Sequence, residues 1–254
     1  FVPLSIGEFD LSVGANLGMS SMMITWLAAS HHWNSGLAVL AVAGVGLLVG
    51  AVNAFLVVNV GLDAFIATLG TMTTLDGLTL GISNGQILSG LPDAITKPVN
   101  AGVGGFDVPV FVAFGMALLL WYVLEMTPLG RHLYFIGAGP ETARLVGLRV
   151  SRIRWGAFLT SGLVGSLAGI AAAGQLGGAV SGTGEAYLLP AYAAAFLGAT
   201  TIRPGRFNAA GTVVALYLLV TGVTGLELLG AQGWIGQLFN GIALIAAVSF
   251  ARAT

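Results

Sequence analysis

Three polar residues in or beside long apolar runs are the first candidates for a functional site. Asp10 and Ser12 lie in a short polar segment between two apolar runs, and Asp76 lies in the middle of another run. A carboxyl group at membrane depth is costly unless it is neutral, hydrated or hydrogen-bonded, and such groups often mark a path for a solute or an ion. We therefore predict Asp10, Ser12 and Asp76 as candidate residues of a translocation path.

Each of these residues also has a structural interpretation. Asp10 or Ser12 could accept hydrogen bonds from the first free amide groups of the helix that follows. Alternatively, their segment could be a helix break at membrane depth, where exposed helix ends line a solute path. Asp76 has no basic residue in a neighbouring apolar run, so it is either part of a polar path or a packed residue bonded to groups such as Thr73, Thr74 or Asn84. These alternatives stay open.

A second candidate site lies where basic residues concentrate. Five of the nine basic residues fall within residues 131–154. Inside this stretch, Pro140 at a first helical position, Glu141 in the first turn and Gly147 near the end predict a helix of about two turns. A helix this short needs a partner to be stable, although the segment could also be a solvated loop that only sets the orientation of the chain.

The elements that must position these residues are membrane helices. The chain is 56% hydrophobic and 7% charged, with a mean hydropathy of +0.94, whereas soluble domains average about 25% charged residues. We predict one all-α, polytopic membrane domain over residues 1–254, with about eight spans. The predicted spans are 11–30, 36–58, 62–82, 108–127, 155–174, 184–200, 208–226 and 234–251.

Basic residues predict the orientation of these spans. If residues 128–154 form a cytoplasmic loop, Arg203, Arg206 and Arg252 also face the cytoplasm and only Lys97 lies outside. This arrangement puts the C-terminus in the cytoplasm. The polar stretch Ser83–Asp107 then becomes a small irregular cap on the outer side. Asp63 is predicted to begin a helix, and Pro190 to kink or break one.

The 39 glycines are often three or four residues apart within the predicted spans. Examples are the group formed by Gly44, Gly46 and Gly50 and the group that begins at Gly162 and ends at Gly169. Small residues at this spacing allow close helix packing in lipid. They could also line a path, and both interpretations stay open.

Several classes of function are disfavoured. The chain has no phosphate-binding loop with its lysine, no nucleophile elbow and no zinc-protease motif, so we expect it not to be an enzyme. It has no cysteine, and the spacing of its three histidines does not favour a metal site. A net charge of −1 without a basic face disfavours a nucleic-acid partner. We expect no cofactor in this chain.

Three stretches resemble the permease subunits of bacterial sugar ABC importers of the ribose, xylose and arabinose type. The first is Glu8-Phe9-Asp10-Leu11-Ser12-Val13-Gly14, which is similar to that family's signature. The second runs from Leu129-Gly130-Arg131 through Gly137-Ala138-Gly139-Pro140-Glu141-Thr142-Ala143-Arg144-Leu145-Val146-Gly147-Leu148. The third is Leu197-Gly198-Ala199-Thr200-Thr201, with Gly211-Thr212 downstream.

The resemblance implies a helical subunit of about ten spans in the bacterial inner membrane. Such subunits pair with a second permease subunit and receive the sugar from a periplasmic or surface binding protein. Two cytoplasmic ATPase subunits bind ATP and Mg²⁺ and drive transport. The family's coupling helix, which docks on the ATPase, maps onto residues 139–147, with these matching residues: Gly139, Pro140, Glu141, Thr142, Ala143, Arg144 and Gly147.

The chain departs from the family pattern on the predicted cytoplasmic side. Gly137-Ala138-Gly139-Pro140-Glu141 replaces the common Gly-Gly-Asn-Pro-Glu, and Val146 replaces a serine. These differences concern the identity of the ATPase partner. The chain opens with Phe1 in an apolar segment, and we expect two spans of the intact subunit to precede it.

Two other functions remain alternatives to an ATP-driven importer. An ion- or proton-coupled secondary transporter would use Asp76 or Asp10 as its coupling group. A membrane scaffold would not transport a solute at all. Neither the sugar nor the choice between a homodimer and a heterodimer follows from the sequence.

Overall fold

The computed structural model describes residues 1–253, with side chains through residue 250, so the predicted cytoplasmic side chain of Arg252 lies outside the described residues. The described chain is 78% helical, which confirms the all-α fold class. Its helices are α1 (Val2–Ser5), α2 (Ser12–Thr25), α3 (Ser35–Ala54), α4 (Ala64–Ser83), α5 (Asp93–Val99), α6 (Val108–Met126), α7 (Pro128–Ala138), α8 (Pro140–Leu145), α9 (Val150–Leu176), α10 (Thr183–Thr200), α11 (Ala209–Leu228) and α12 (Trp234–Ala253). The short strands are β1 (Leu88–Ser89), β2 (Gly102–Val103), β3 (Phe106–Asp107) and β4 (Gly178–Ala179).

All eight predicted spans are helical. Turns of π-helix, Trp26–Ser30 and Phe55–Val60, extend α2 and α3. Within the described residues, five helices are long and apolar enough to cross a membrane: Ser35–Val60, Ala64–Ser83, Val108–Met126, Val150–Leu176 and Ala209–Leu228. A shorter apolar helix covers Trp234–Phe250. The helix α2 is largely buried against α3, α4, α9 and α10, so its polar side chains face protein and its surface does not need to match lipid.

Local signals in the sequence explain where the helices begin and end. The Asp63 carboxylate accepts hydrogen bonds from the backbone N–H groups of Phe65 and Ile66 at 2.9 and 3.3 Å, which confirms that Asp63 begins a helix. Gly177 ends α9 in the left-handed conformation that glycine adopts without strain. The interior Pro190 does not end α10, which continues to Thr200.

Glycines bring α3 and α9 into close contact. A β-carbon on Gly46 or Gly50 would overlap α9, and one on Gly162 would overlap the carbonyl oxygen of Gly46. Gly44 has open space around it and does not take part. The packing interpretation of these glycines is therefore confirmed at the α3–α9 crossing. Similar contacts join α2 to α10, where Gly14 meets Gly184.

The stretch predicted as a small irregular cap contains α5 and the hairpin of β2 and β3. Strand β1 pairs with β4, so the cap is attached to the end of α9. The Asn100 side chain strengthens this attachment by donating a hydrogen bond to the carbonyl oxygen of Gly174 at 2.9 Å. The cap thus holds the ends of α4, α6 and α9 together.

Candidate functional site

The first site lies at the break between α1 and α2. Helix α1 ends at Ser5, α2 begins at Ser12, and Asp10 between them is only 4% exposed. Asp10 Oδ1 accepts hydrogen bonds from the backbone N–H of Ser12 at 3.1 Å and from its hydroxyl at 2.6 Å. Asp10 Oδ2 accepts from the Ser161 hydroxyl of α9 at 2.6 Å. Asp10 therefore accepts from the first free amide group of α2, as the capping interpretation requires, although Leu11 occupies the N-cap position itself. The helix is also interrupted between α1 and α2.

A chain of hydrogen bonds continues from this carboxylate into α3 and α4. Asn53 Nδ2 donates to the Ser12 hydroxyl oxygen at 2.7 Å, and the Thr71 hydroxyl donates to Asn53 Oδ1 at 2.7 Å. Every donor along this chain points towards Asp10, so the bonds polarise one another in the same sense. The Asp10 carboxyl group is thereby linked through hydrogen bonds to side chains on α2, α3 and α4.

The backbone of the break is also held by side chains of neighbouring helices. The N–H of Asp10 donates to the Tyr192 hydroxyl oxygen of α10 at 3.0 Å, and the N–H of Leu11 donates to Thr68 Oγ1 of α4 at 3.1 Å. The Phe9 ring stacks on the Tyr192 ring with a centroid separation of 6.2 Å. We use the name polar network for the following seven residues: Asp10, Ser12, Asn53, Thr68, Thr71, Ser161 and Tyr192.

The polar network fastens α2, α3, α4, α9 and α10 to one another. A buried carboxylate without a countercharge is destabilising unless hydrogen bonds replace its lost hydration. Asp10 receives three such bonds to its carboxylate, and none of the side chains that donate them is basic. The arrangement can therefore keep a charge inside the bundle while it fixes the position of the helix break.

A cavity of about 420 Å³ between α3 and α4 reaches this network. Its lining residues are Val52, Leu56, Leu62, Ile66, Ala67, Gly70, Thr71 and Thr74. Thr71 belongs both to the cavity wall and to the polar network, because its hydroxyl donates to Asn53. The hydrogen-bond chain thus ends at an opening on the surface of the described chain.

Asp76 lies on α4 but outside the polar network. Its side chain is half-buried and has no hydrogen bond or ion pair to another residue among residues 1–250. Of the two alternatives for Asp76, the bonds to Thr73, Thr74 or Asn84 are not present in the described structure. The Thr73 and Thr74 hydroxyls bond instead to the carbonyl oxygens of Leu69 and Gly70. The structure thus brings Asp10 and Ser12 together and leaves Asp76 separate.

The second site is the basic stretch, where the predicted short helix is present as α8. Arg144 and Glu141 form an ion pair at 3.0 Å on its exposed side, and Gly147 follows in a left-handed conformation. Leu145 is 88% exposed and Val146 is 62% exposed at its end. The residues before α8 also form a helix, α7, where the sequence predicted only a loop. Leu145 and Val146 thus form a small apolar patch on this exposed turn.

Buried contacts attach α8 to the bundle. Ala143 is fully buried in a cluster with Ile6, Ile136 and Val150, so α8 packs against α7, the start of α9 and the segment before the break. In the same cluster, the Tyr134 hydroxyl donates to the carbonyl oxygen of Phe207 at 2.6 Å, linking α7 to the loop before α11. Burial raises the pKa of Tyr134, and the Glu125 carboxylate acts in the same direction, so the phenol remains a hydrogen-bond donor.

The sequence predicted Asp10 and Ser12 but missed five members of the polar network. Asn53 and Ser161 lie inside predicted spans that are otherwise apolar, and that contrast is the signal that could have identified them. Thr68, Thr71 and Tyr192 carry weaker signals, because threonine and tyrosine are common in spans. Their roles depend on which face of each helix meets α2.

A bundle of membrane-length helices with a buried polar network defines a polytopic membrane protein, and comparison with known proteins gives its family. Residues 2–248 match the family model described as "Branched-chain amino acid transport system / permease component". The chain belongs to this family of permease components. No solved structure matches the chain.

Its curated relatives are similar over most of their length. The chain is 33% identical over 249 residues to the ribose import permease protein RbsC of Bacillus subtilis (strain 168), covering 97% of this chain and 77% of the relative. It is 31% identical over 252 residues to the D-allose transport system permease protein AlsC of Escherichia coli (strain K12), covering 99% and 77%. It is 28% identical to the autoinducer 2 import system permease protein LsrD of Klebsiella pneumoniae subsp. pneumoniae, covering 95% and 74%.

Proposed function

We propose that this chain is the permease subunit of an ATP-driven importer that moves a sugar or a sugar-like solute from a binding protein into the cytoplasm. The observation that carries the proposal is the 33% identity to a ribose import permease along 97% of the chain. The relative named for D-allose transport supports the same class of solute. The family description mentions branched-chain amino acids, but the relatives reported above carry the names of sugars and of autoinducer 2.

Helix α8 is the proposed docking element for a cytoplasmic ATPase. Its buried Ala143 anchors it to the bundle, while Leu145 and Val146 present apolar surface outwards. An ATPase that covered this turn would bury that surface, and the Glu141–Arg144 pair would supply polar contacts at the rim. In the complete importer, two ATPase subunits bind ATP and Mg²⁺, and this chain pairs with a second permease subunit, either a copy of itself or a sister chain.

The orientation follows from the docking of the ATPase. The ATPase is cytoplasmic, so α8 faces the cytoplasm and the cap formed by α5, β2 and β3 faces the binding protein. This places the chain in the bacterial inner membrane with its C-terminus in the cytoplasm. The same orientation results from the excess of basic residues near α8.

Asp10 and Ser12 are proposed to support the translocation path indirectly. They do not line the cavity themselves but are linked by hydrogen bonds to Thr71, which does. The contact of Thr71 with both the cavity and Asn53 supports this role, because a solute in the cavity would meet one end of the hydrogen-bond chain. Asp76 is proposed as a separate polar position on α4. In this proposal a neutral sugar needs hydrogen-bond partners along its way and no fixed countercharge.

The proposal is tested by reconstituting the chain with its ATPase and binding protein in proteoliposomes. We expect ATP-dependent sugar uptake, and we expect the charge reversal Glu141→Arg or the helix-breaking change Arg144→Pro to abolish uptake while membrane insertion is unchanged. Glu227→Arg, at the exposed end of α11 and outside both α8 and the cap, serves as the charge-reversal control and should transport normally. Uptake that continues without an ATPase but collapses with the ion gradient would instead identify a secondary transporter.

A further inference from the structure

An ion pair between Glu8 and Arg154 lies between the two sites. Arg154 Nη2 is 2.5 Å from Glu8 Oε1, and the side chains are only 19% and 16% exposed. Glu8 belongs to the break before α2, and Arg154 is in the second turn of α9, immediately after α8. The pair is therefore a partly buried link between the cytoplasmic end of α9 and the helix break.

Arg154 is not optimally satisfied in this position. Its Nε is buried and has no hydrogen-bond partner among the residues whose side chains are described. A buried guanidinium usually uses its whole fork of donors, and an unused donor lowers the stability of the folded state.

The same face of α9 holds the polar network. Arg154 and Ser161 are seven residues apart, which is two helical turns or about 10.5 Å on one side of the helix. Glu8 bonds to the first and Asp10 bonds to the second. The segment from Glu8 to Asp10 is thus attached to α9 at two points by two carboxylates.

At its other end, the same segment contacts the docking element. Ile6 packs in the cluster that contains Ala143 of α8. A β-carbon on Gly137 of α7 would lie 2.5 Å from the carbonyl oxygen of Ser5, so the two backbones touch. A displacement of α7 and α8 would therefore reach the start of the break without passing through a flexible loop.

We propose that Glu8 and Arg154 are positioning residues that transmit the movement of α8 to the break before α2, so that ATP hydrolysis is coupled to movement of the solute. This inference rests on the proposed function. According to this proposal, a movement of α7 and α8 displaces the backbone just before Ile6. The ion pair makes Glu8 move together with α9. Asp10 and the rest of the polar network then change position as one unit. Without the ion pair, the ATPase would still hydrolyse ATP, but the helix break would move less for each ATP that is hydrolysed.

The test measures uptake and ATP hydrolysis in the same proteoliposomes, with the binding protein present. We expect Glu8→Gln and Arg154→Gln to lower the solute transported per ATP hydrolysed by about 2- to 30-fold, the range in which residues along a coupling route act. Hydrolysis stimulated by the binding protein should be retained. The double exchange Glu8→Arg with Arg154→Glu should recover at least part of the ratio, because it restores a pair of opposite charges.

Arg152→Gln is the matched control, because Arg152 is exposed on the same helix and has no ion pair in the described structure. It should leave the ratio unchanged. If a glutamine variant does not accumulate in the membrane, Glu8→Asp and Arg154→Lys replace it. The inference is refuted if the single variants keep the wild-type ratio, if uptake and hydrolysis fall in parallel, or if the double exchange is no better than the singles. A failure of the proposed function would appear separately, as wild-type vesicles that do not take up sugar with ATP.

Discussion

Removal of the Asp10 carboxylate should test whether the polar network holds the bundle together. Asp10→Ala removes the acceptor of three hydrogen bonds, from the Ser12 backbone, the Ser12 hydroxyl and the Ser161 hydroxyl. The bond from Ser161 joins two helices, and bonds of this kind average about 0.6 kcal/mol and reach about 1.7 kcal/mol. The two local bonds from Ser12 contribute about 0.5–1.5 kcal/mol each, so the variant should lose about 2–5 kcal/mol of unfolding free energy. Ser161→Ala removes one of the bonds and should lose about 0.6–1.7 kcal/mol.

The two variants and their combination form a double-mutant cycle. Unfolding of the purified protein in mixed micelles can be followed by the fluorescence of its five tryptophans. Because Ser161 has nothing to donate to once Asp10 is absent, the double variant should be more stable than the sum of the singles predicts, by about 1 kcal/mol. Asp10→Asn keeps one acceptor oxygen and should fall between the wild type and Asp10→Ala. The exposed Asp107→Ala is the control and should change stability by less than about 0.5 kcal/mol.

A coupling energy below about 0.3 kcal/mol would refute the reasoning, because additive variants have no energetic interaction. So would an Asp10→Ala variant as stable as the control, which would mean that the buried carboxylate is as costly as its hydrogen bonds are favourable. Either result would remove the argument that the network fixes the helix break.

Two further predictions concern the packing of the bundle. Gly162→Ala should destabilise the protein by about 1–3 kcal/mol, because the added methyl group would overlap Gly46 and force α3 away from α9. Gly156→Ala on the same helix meets open space and should be neutral or stabilising by up to about 1 kcal/mol, and equal effects in the same micelle assay would contradict the prediction. Asn208→Ala should cost about 1–2 kcal/mol, because Asn208 Oδ1 accepts from the Gly211 N–H at 2.7 Å and its Nδ2 donates to the Gly198 carbonyl oxygen at 3.0 Å. Its control is Asn34→Ala, which removes a cap that is exposed to solvent, and a larger loss for Asn34→Ala would be the contrary result.

Much of the fold could be predicted because lipid imposes simple rules on sequence. Apolar runs long enough to cross the hydrocarbon core predict the helices. Local residues mark where they end: Asp63 precedes the first residue of α4, and Gly61 follows the π-helical turn that extends α3. The glycine spacing correctly indicated close helix packing, which occurs at Gly46 and Gly162, but it did not identify which helices meet, and it also included Gly44, which faces open space. Spacing defines a face of a helix but does not identify the residues on it that meet a neighbour.

The site was harder to predict because its members are far apart in sequence. Asp10 and Ser161 are 151 residues apart, and the hydroxyl of Ser161 matters only because α9 turns it towards the break. Asp76 carried the strongest signal on α4, a carboxyl group in mid-span, yet the network uses Thr68 and Thr71 of that helix instead. The type of residue predicts how costly burial is, whereas helix packing decides which residue is buried.

The position of the charged groups relative to α9 also explains why two carboxylates lie in so short a segment. Glu8 is close enough to the N-terminal end of α9 to pair with an arginine, and Asp10, two residues further on, has only hydroxyl and amide donors. A second arginine at the Ser161 position would have to be accommodated deep in the bundle, where the insertion of a charged side chain costs about 3 kcal/mol. Hydroxyl groups instead let the deeper carboxyl group exchange hydrogen bonds at lower cost, which is what the movement proposed above for the helix break would require.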